Sequence, residues 1–499
     1  MLRFAVFSEG QPAPSVDLTG AYLVGSDGVP LRADIEFRRG EIICRKRAAG
    51  PGGLVLLWPV PGCGRLLMET TRLPERDEPY NLHVELVRSR LMRISQKRED
   101  WGLFDYAGVE SLSQKVNESR DLLIEALQSD RPAAAAGLAD KALALSVDTS
   151  EQLSLFHAEV FLARRKQTGG FTRRLFGCDI DPRQTDEAYR RLLARAFDFA
   201  AIPFSWRQIE PREQEFNWKE LDNWVEWLNK NRLPMRGAGL VNFAEQHVPD
   251  WLYIWEHDFE TVRDLVYEHV RRVINRYGQH VKVWDVISGI HAAQNFSFNF
   301  EQLMELTRMA TAITKQLAPR SVTIVDLVAP WGEYYARNQR TIPPMLYAEM
   351  AVQSGINFDA FGLQFHFGGA SETSMARDLF QVSSMIDRFS SMGKPLHITA
   401  VGVPSGVPAA ERALAAKAGY WHEDWSESTQ SRWLRAFYEI ALSKPFVDTV
   451  TWRDLCDNDR SPVPMGGLVR PDLNPKPAYN DLIALRNEIL GNRVNEPAA

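Results

Sequence analysis

A repeated alternation between residues 175 and 490 constrains the fold more than any other feature of the sequence. Short apolar runs are separated by longer stretches with helical hydrophobic period, and this pair recurs eight times. The apolar runs are Leu175–Cys178, Phe199–Phe204, Pro234–Leu240, Val281–Val286, Ser321–Leu327, Ala360–Gln364, Leu396–Val401 and Val447–Trp452. Eight strand–helix units predict a closed (β/α)8 barrel of the α/β class, which ordinarily needs about 250 residues. Such barrels place their functional residues in the loops that follow the carboxyl ends of the strands.

The 499-residue chain is too long for a single compact core, so further domains are expected before the barrel. Residues 1–82 contain short alternating runs split by Gly- and Pro-bearing turns, which is typical of a small antiparallel β domain. Residues 83–171 have helical spacing and predict a helical connector. The barrel is predicted over residues 172–490, and residues 491–499 form a tail.

Composition excludes several function classes. The net charge of −6 argues against a general nucleic-acid binder, which should be basic. No run approaches the roughly 20 apolar residues needed to span a membrane, so no membrane partner is expected. The first residues lack the sustained apolar core of a signal peptide, and the four cysteines are widely scattered. Together these features predict a cytoplasmic protein with reduced thiols.

An ordered set of motifs lies on the predicted strands and in the loops after them. The set comprises Trp206-Arg-Gln-Ile-Glu-Pro211 with Phe216-Asn217, Arg236-Gly237, Leu240-Val241, Pro249-Asp250-Trp251, Trp284-Asp285-Val286, Gly362-Leu-Gln-Phe-His366, Ile398-Thr399, Trp452 through Asp457, Gly467-Leu468 and Pro475-Lys-Pro-Ala-Tyr479. In this combination and order, the barrel region resembles glycoside hydrolase family 10, the xylanase family. The resemblance implies a β-linked, xylan-like oligosaccharide or polysaccharide as ligand, with sugar contacts from Gln364, His366 and Trp452.

The sequence departs from the family pattern at the two positions that carry the catalytic glutamates. By the resemblance, the general acid/base glutamate after the fourth strand falls at Gly289, and the nucleophile glutamate of the seventh strand falls at Ala400. Retaining hydrolysis needs two carboxyl groups about 5–5.5 Å apart, one as nucleophile and one as acid. Neither Gly289 nor Ala400 carries a titratable group, so the standard mechanism is expected to be lost.

Other residues near the strand ends are candidates for chemistry or binding. Glu245, after the third strand, and Glu333, after the fifth, are candidate relocated acids, although each is also consistent with an ordinary loop or helix-proximal carboxylate. Trp331 is a candidate sugar platform. Asn242 and Trp206, at motif positions after the third and second strands, complete the predicted binding set.

No cofactor or metal is predicted, because the barrel histidines lack a ligand spacing such as His-Glu-x-x-His. Three hypotheses stay open for function. The first is a glycan-binding barrel without the double displacement, and the second is an active glycosidase that uses Glu245 and Glu333. The third is a structural or partner-binding barrel, for which a closed, side-chain-filled mouth would be the evidence. The aromatic and acidic run Tyr420–Trp425, after the seventh strand, is either a lid over a glycan or an anchor to the barrel rim.

Overall fold

The computed structural model describes residues 1–491 except 104–105, 173, 370 and 409–416. It contains a closed barrel of eight parallel strands that follow one another in chain order, with the last strand paired to the first. The strands are Phe176–Asp179, Phe199–Pro203, Met235–Ala238, Val283–Ser288, Val322–Leu327, Ala360–His366, Leu396–Gly402 and Val447–Trp452. The predicted (β/α)8 barrel is confirmed, and each predicted apolar run overlaps one of these strands. Apart from its first residue, the predicted tail 491–499 lies outside the described residues.

Helices follow the strands and cover the barrel from outside. They are Glu187–Ala196, Lys219–Lys230, Phe259–Tyr277, Phe300–Leu317, Pro344–Gln353, Leu379–Ser390, Glu427–Ser443 and Pro477–Leu490. Several begin with a side-chain cap, and Asn299 and Gln302 form a complete capping box at the start of the fourth. Among the described residues, no helix has the length and apolar character that crossing a membrane requires.

Among the described residues, three long helices precede the barrel, together with most strands of two small, mainly antiparallel sheets. One sheet has four strands, in the order Tyr80–Asn81, Leu2–Ala5, Glu41–Lys46 and Ala33–Arg38. A second sheet has five, in the order Tyr420–Trp421, Gly64–Glu69, Gly53–Val60, Tyr22–Val24 and Pro30–Leu31. The helices are Leu82–Asp100, Val109–Gln128 and Pro132–Gln167.

The amino-terminal region and the barrel contact each other through strand pairing and side-chain hydrogen bonds, in addition to the chain that connects them. Strand Tyr420–Trp421, which follows the seventh barrel strand, pairs antiparallel with Gly64–Glu69 of the five-stranded sheet. Buried Glu151 accepts a hydrogen bond from the indole of Trp421 at 2.7 Å and lies 2.6 Å from the imidazole Nε2 of His422. The described part of the Tyr420–Trp425 run therefore anchors the barrel rim to the preceding sheet.

Candidate functional site

An open cavity of about 580 Å³ lies at the carboxyl ends of the barrel strands. Its lining is drawn from loops and strand ends around the whole mouth, as expected for this fold. Five of the predicted site residues line it, namely Asn242, Glu245, Trp331, Gln364 and His366. The structure thus brings these five together at one concave surface, with Glu245 exposed and the other four partly buried.

Three predicted site residues lie elsewhere. Trp452 is fully buried outside the cavity lining, where its indole nitrogen donates to the carbonyl of Gly466 at 2.9 Å. Strand alternation explains this, because the preceding Thr451 hydroxyl accepts from Arg236 inside the barrel and the next side chain must face outward. Trp206 is also buried, and it donates to Glu210 at 3.0 Å.

Glu333 is the third of these residues. Its side chain is 6% exposed and forms a 2.6 Å ion pair with Arg377 behind the mouth, outside the cavity lining. Burial raises the pKa of Glu333, and the neighbouring Arg377 guanidinium opposes that rise. The carboxylate is therefore committed to an internal pair, and the structure does not place it opposite Glu245.

The cavity floor centres on the carboxylate of Asp326, at the end of the fifth strand. It accepts hydrogen bonds from Ser288 at 2.6 Å, from the Gln364 amide at 2.5 Å and from the Thr399 hydroxyl. These donors come from three further strands, so one carboxylate fixes the relative positions of four strand ends. Gly362 makes this possible, because a Cβ there would lie 2.4 Å from the Asp326 carboxylate oxygen.

A second polar cluster surrounds the guanidinium of Arg236, which is 3% exposed. It lies 3.3 Å from Asp179 and 3.3 Å from Asp285, and it donates at 2.6 Å to the backbone carbonyl of Thr399. Arg453 makes a further 3.2 Å ion pair with Asp179 and remains 30% exposed towards the mouth. Arg236 therefore bridges carboxyl groups from the first and fourth strands, and Arg453 is a second cation on Asp179.

Burial sets the protonation of these groups. Loss of solvent raises the pKa of Asp285 to about 8, despite the opposing charge of Arg236. The same effect raises the pKa of Asp179 to about 6. Burial lowers the pKa of His366 to about 3 and that of His247 to about 4. At neutral pH the mouth therefore presents a protonated Asp285 and neutral imidazoles.

Three buried polar atoms at this surface lack a hydrogen-bond partner among the described residues. They are the Oδ1 of Asp285, the Nε2 of His366 and the Oγ of Ser205, and all three residues line the cavity. A buried polar atom without a partner costs free energy, so such atoms mark where a ligand or water completes the network. Sugar hydroxyls, which both donate and accept, match this mixed set of groups.

Gly289 and Ala400, the two positions at which the sequence resemblance predicts the catalytic glutamates, have distinct geometries. Gly289 lies on the cavity wall with φ of +63°, and a Cβ there would lie 3.1 Å from a Val328 methyl. Ala400 is 1% exposed and is outside the cavity lining, whereas the preceding Thr399 faces the cavity. Neither position contributes a charge to the mouth.

Sequence reasoning missed Asp179, Arg236, Asp285 and Arg453. A signal was available for Asp179, Asp285 and Arg453, because each lies at or just past the carboxyl end of a predicted strand, whereas Arg236 lies near the amino-terminal end of its strand. Which of them form ion pairs could not be predicted from the sequence, since the partners lie 49 to 274 residues apart along the chain. Across the described residues, no group of three or more His, Cys, Asp or Glu is arranged to hold a metal ion.

Comparison with known proteins gives a consistent result for the barrel. The model of glycosyl hydrolase family 10 matches residues 169–485. Endo-1,4-beta-xylanase B of Thermotoga neapolitana is 23% identical over 320 residues, which cover 62% of this chain and 86% of that protein. Endo-1,4-beta-xylanase 3 of Hypocrea jecorina is 23% identical over 288 residues, which cover 56% and 72%.

Solved structures match about two thirds of the chain. Xylanase 10B from Thermotoga petrophila RKU-1, in complex with xylobiose, aligns with a TM-score of 0.47 at 19% identity, covering 66% of this chain and 96% of that one. Native xylanase10C from Cellvibrio japonicus aligns with a TM-score of 0.48 at 14% identity, covering 65% and 72%. In both cases the aligned part is about the length of the barrel.

Proposed function

This chain belongs to glycosyl hydrolase family 10, and from that premise we propose that its barrel mouth binds a β-linked, xylan-like oligosaccharide without performing the family's double displacement. One observation carries the proposal. The mouth keeps an open, polar, partly aromatic cavity, and Gly289 and Ala400 stand where the sequence resemblance predicts the catalytic glutamates. This combination supports a binding surface without the two reacting carboxylates that retaining hydrolysis needs.

The recognition chemistry rests on Trp331 and the polar floor beneath it. Trp331 is partly buried, and its ring packs against Phe365 at 5.8 Å and Phe367 at 6.0 Å between centroids. The Arg377 guanidinium lies 4.1 Å from the centre of the same ring. A ring held on several sides loses little freedom on binding, and it offers a flat apolar face to a sugar.

The open mouth argues against a purely structural barrel, because the evidence expected for that role was a mouth filled by side chains. Glu245 and Glu333 are also disfavoured as a pair of relocated catalytic acids, since Glu333 is paired with Arg377 outside the cavity.

One observation favours hydrolysis as a second candidate function. Asp285, whose pKa burial raises to about 8, lines the same cavity as the carboxyl group of Asp326, so a buried acid and a second carboxyl group are both present.

The test is a titration of xylo-oligosaccharides by isothermal calorimetry, with the Trp331→Ala variant beside the wild type. We expect binding by the wild type and an affinity loss of about 5- to 150-fold in the variant, the usual scale for an aromatic contact of 1–3 kcal/mol. Trp218→Ala is the matched control, because Trp218 is partly buried at the start of an outer helix, away from the mouth. No binding by the wild type to any glycan tested would refute the proposal.

Turnover is measured on xylan and on an aryl β-xyloside with the same proteins. We expect none at an ordinary enzymatic rate of about 1–10³ per second. If turnover is found, Asp285→Asn separates the two functions, because loss of turnover with retained binding would assign the chemistry to the mouth carboxylates. Unchanged turnover in that variant would exclude Asp285 as the acid.

A further inference from the structure

A second cavity, of about 410 Å³, lies where the five-stranded sheet and the first long helix meet the barrel. Its lining comes from the sheet, from helix Leu82–Asp100 and from barrel helix Leu379–Ser390. Trp331 is shared with the lining of the barrel mouth, so the two cavities are neighbours separated by that side chain and its surroundings. We call this second space the junction cavity.

The junction cavity is predominantly cationic. Five cationic side chains line it, against three carboxylates; the cations are Arg72, Arg93, Lys97, Arg377 and Arg388, and the carboxylates are Glu69, Asp100 and Asp387. Lys97 pairs with Asp387 at 3.1 Å, and Arg93 pairs with Glu69. Arg377 is held by Glu333, which lies behind the cavity wall.

The remaining two cations are only weakly compensated. Arg72 donates at 2.7 Å to the backbone carbonyl of Gly25, and its nearest carboxylate, Glu69, lies 3.9 Å away and is already engaged by Arg93. Arg388 donates to the backbone carbonyl of Asp27 at 3.4 Å, and the carboxylates of Asp27 and Glu349 also attract it, although neither forms an ion pair with it among the described residues. Two guanidinium groups therefore face one cavity with backbone carbonyls as their close partners.

Burial is the main influence on the cations of this space. It lowers the pKa of Arg388, the carboxylates of Glu349 and Asp27 oppose that fall, and the Arg72 guanidinium adds to it. Burial likewise lowers the pKa of Arg93 to about 10, with Asp378 opposing the fall and Arg377 and Arg388 adding to it. Because cations outnumber carboxylates in the lining, an anion bound between them would gain favourable electrostatic interactions.

Neutral donors complete the lining. The hydroxyl of Tyr22 accepts a hydrogen bond from Arg377 at 3.1 Å. The hydroxyl of Ser384 is buried without a partner among the described residues, although it lines the cavity. A hydroxyl and two planar guanidinium forks match the several acceptor oxygens of a phosphate or carboxylate group.

We propose that the junction cavity is a binding site for a small oxyanion ligand, recognised chiefly by Arg72 and Arg388. The site is distinct from the glycan mouth, and the proposal does not depend on what the mouth binds. The same chemistry would accept a free phosphate or the carboxylate of an acidic sugar, and the cavity volume allows a ligand larger than phosphate alone.

The test uses the full chain with sodium phosphate, sodium glucuronate and neutral glucose, at an ionic strength held constant with sodium chloride. We expect phosphate or glucuronate to raise the thermal midpoint and to give a calorimetric binding isotherm, whereas glucose does neither. Tighter binding of glucuronate than phosphate would identify an acidic sugar as the source of the oxyanion. The reverse order would identify a free phosphate.

Two variants locate the site. Arg388→Gln changes an exposed rim residue and should fold normally, and we expect it to weaken oxyanion binding about tenfold or more, as for loss of a charge-assisted hydrogen bond. Arg72→Gln should act in the same direction. The control is Arg191→Gln, on the outer surface of helix Glu187–Ala196. If neither oxyanion binds the wild type, or if both cavity variants bind as tightly as the control, the proposal is wrong.

Discussion

Replacement of Asp285 by Asn should change how the stability of the protein depends on pH. Asp285 is 2% exposed, and burial raises its pKa from 3.8 to about 8 in the folded chain. Between these two pH values the side chain is protonated in the folded chain and ionised in the unfolded chain, so folding takes up a proton. An amide at the same position has similar shape and cannot titrate. Arg236 keeps its partners Asp179, Thr451 and Thr399, so the variant should fold.

The sign and size of the effect follow from proton linkage. A raised folded-state pKa gives stability that is fully present below pH 3.8 and is lost as the pH rises towards 8. Within that window the folded state binds about one more proton, so the free energy of unfolding falls by about 1.36 kcal/mol per pH unit. Between pH 5 and pH 7, Asp285 should therefore remove about 3 kcal/mol of stability, and above pH 8 the slope should vanish.

The measurement is urea unfolding followed by tryptophan fluorescence at pH 5, 6 and 7 for the wild type and Asp285→Asn. The difference between the two proteins isolates Asp285, because other titrating groups contribute to both. Asp264→Asn, which changes a carboxylate that is 73% exposed, controls for loss of a charge. Parallel pH profiles for the wild type and Asp285→Asn would show that Asp285 is already ionised in the folded protein and would refute the reasoning.

Three further substitutions test the placement of other residues. Trp452→Ala should cost about 3–5 kcal/mol of stability by opening a core cavity, seen as a lower thermal midpoint; an unchanged midpoint would contradict its burial. Glu333→Gln should destabilise by about 3–5 kcal/mol, because Arg377 loses its buried partner, while glycan affinity stays the same. Thr399→Val should weaken glycan binding by releasing Asp326, and unaltered calorimetric affinity would argue against a role for that contact.

The barrel was predictable because its signal is local. A strand buried on both faces appears as a short continuous apolar run, as in Ala360–His366. The helical connector was less well resolved: the sequence predicted helical spacing over residues 83–171 without the bounds of its helices, and the structure has one continuous helix over Pro132–Gln167. Hydroxyls such as that of Ser150, which donates to the Val147 carbonyl, interrupt the apolar pattern without interrupting the helix.

The alternation of side chains along a strand accounts for part of the site prediction. Gln364 and His366 share a face by alternation, and both line the mouth. The same alternation places the Trp452 side chain outside the mouth, because Thr451 occupies the inward position. Glu333 lies in the expected loop, but its partner Arg377 is 44 residues further along the chain and turns the carboxylate away. Such pairings depend on tertiary packing and have no signature in sequence spacing.

The arrangement of charge in the mouth favours binding over the family's chemistry. A nucleophile must be free to approach a reacting carbon, and an acid must be free to transfer its proton. Here Asp179 is bridged by Arg236 and Arg453, and Asp326 is held by three donors. Carboxylates committed in this way stabilise the shape of the cavity and present fixed acceptors to a ligand. Among the described carboxyl groups that line the mouth, Asp285 keeps a buried oxygen without a hydrogen-bond partner, which is why its protonation state is an informative quantity to measure.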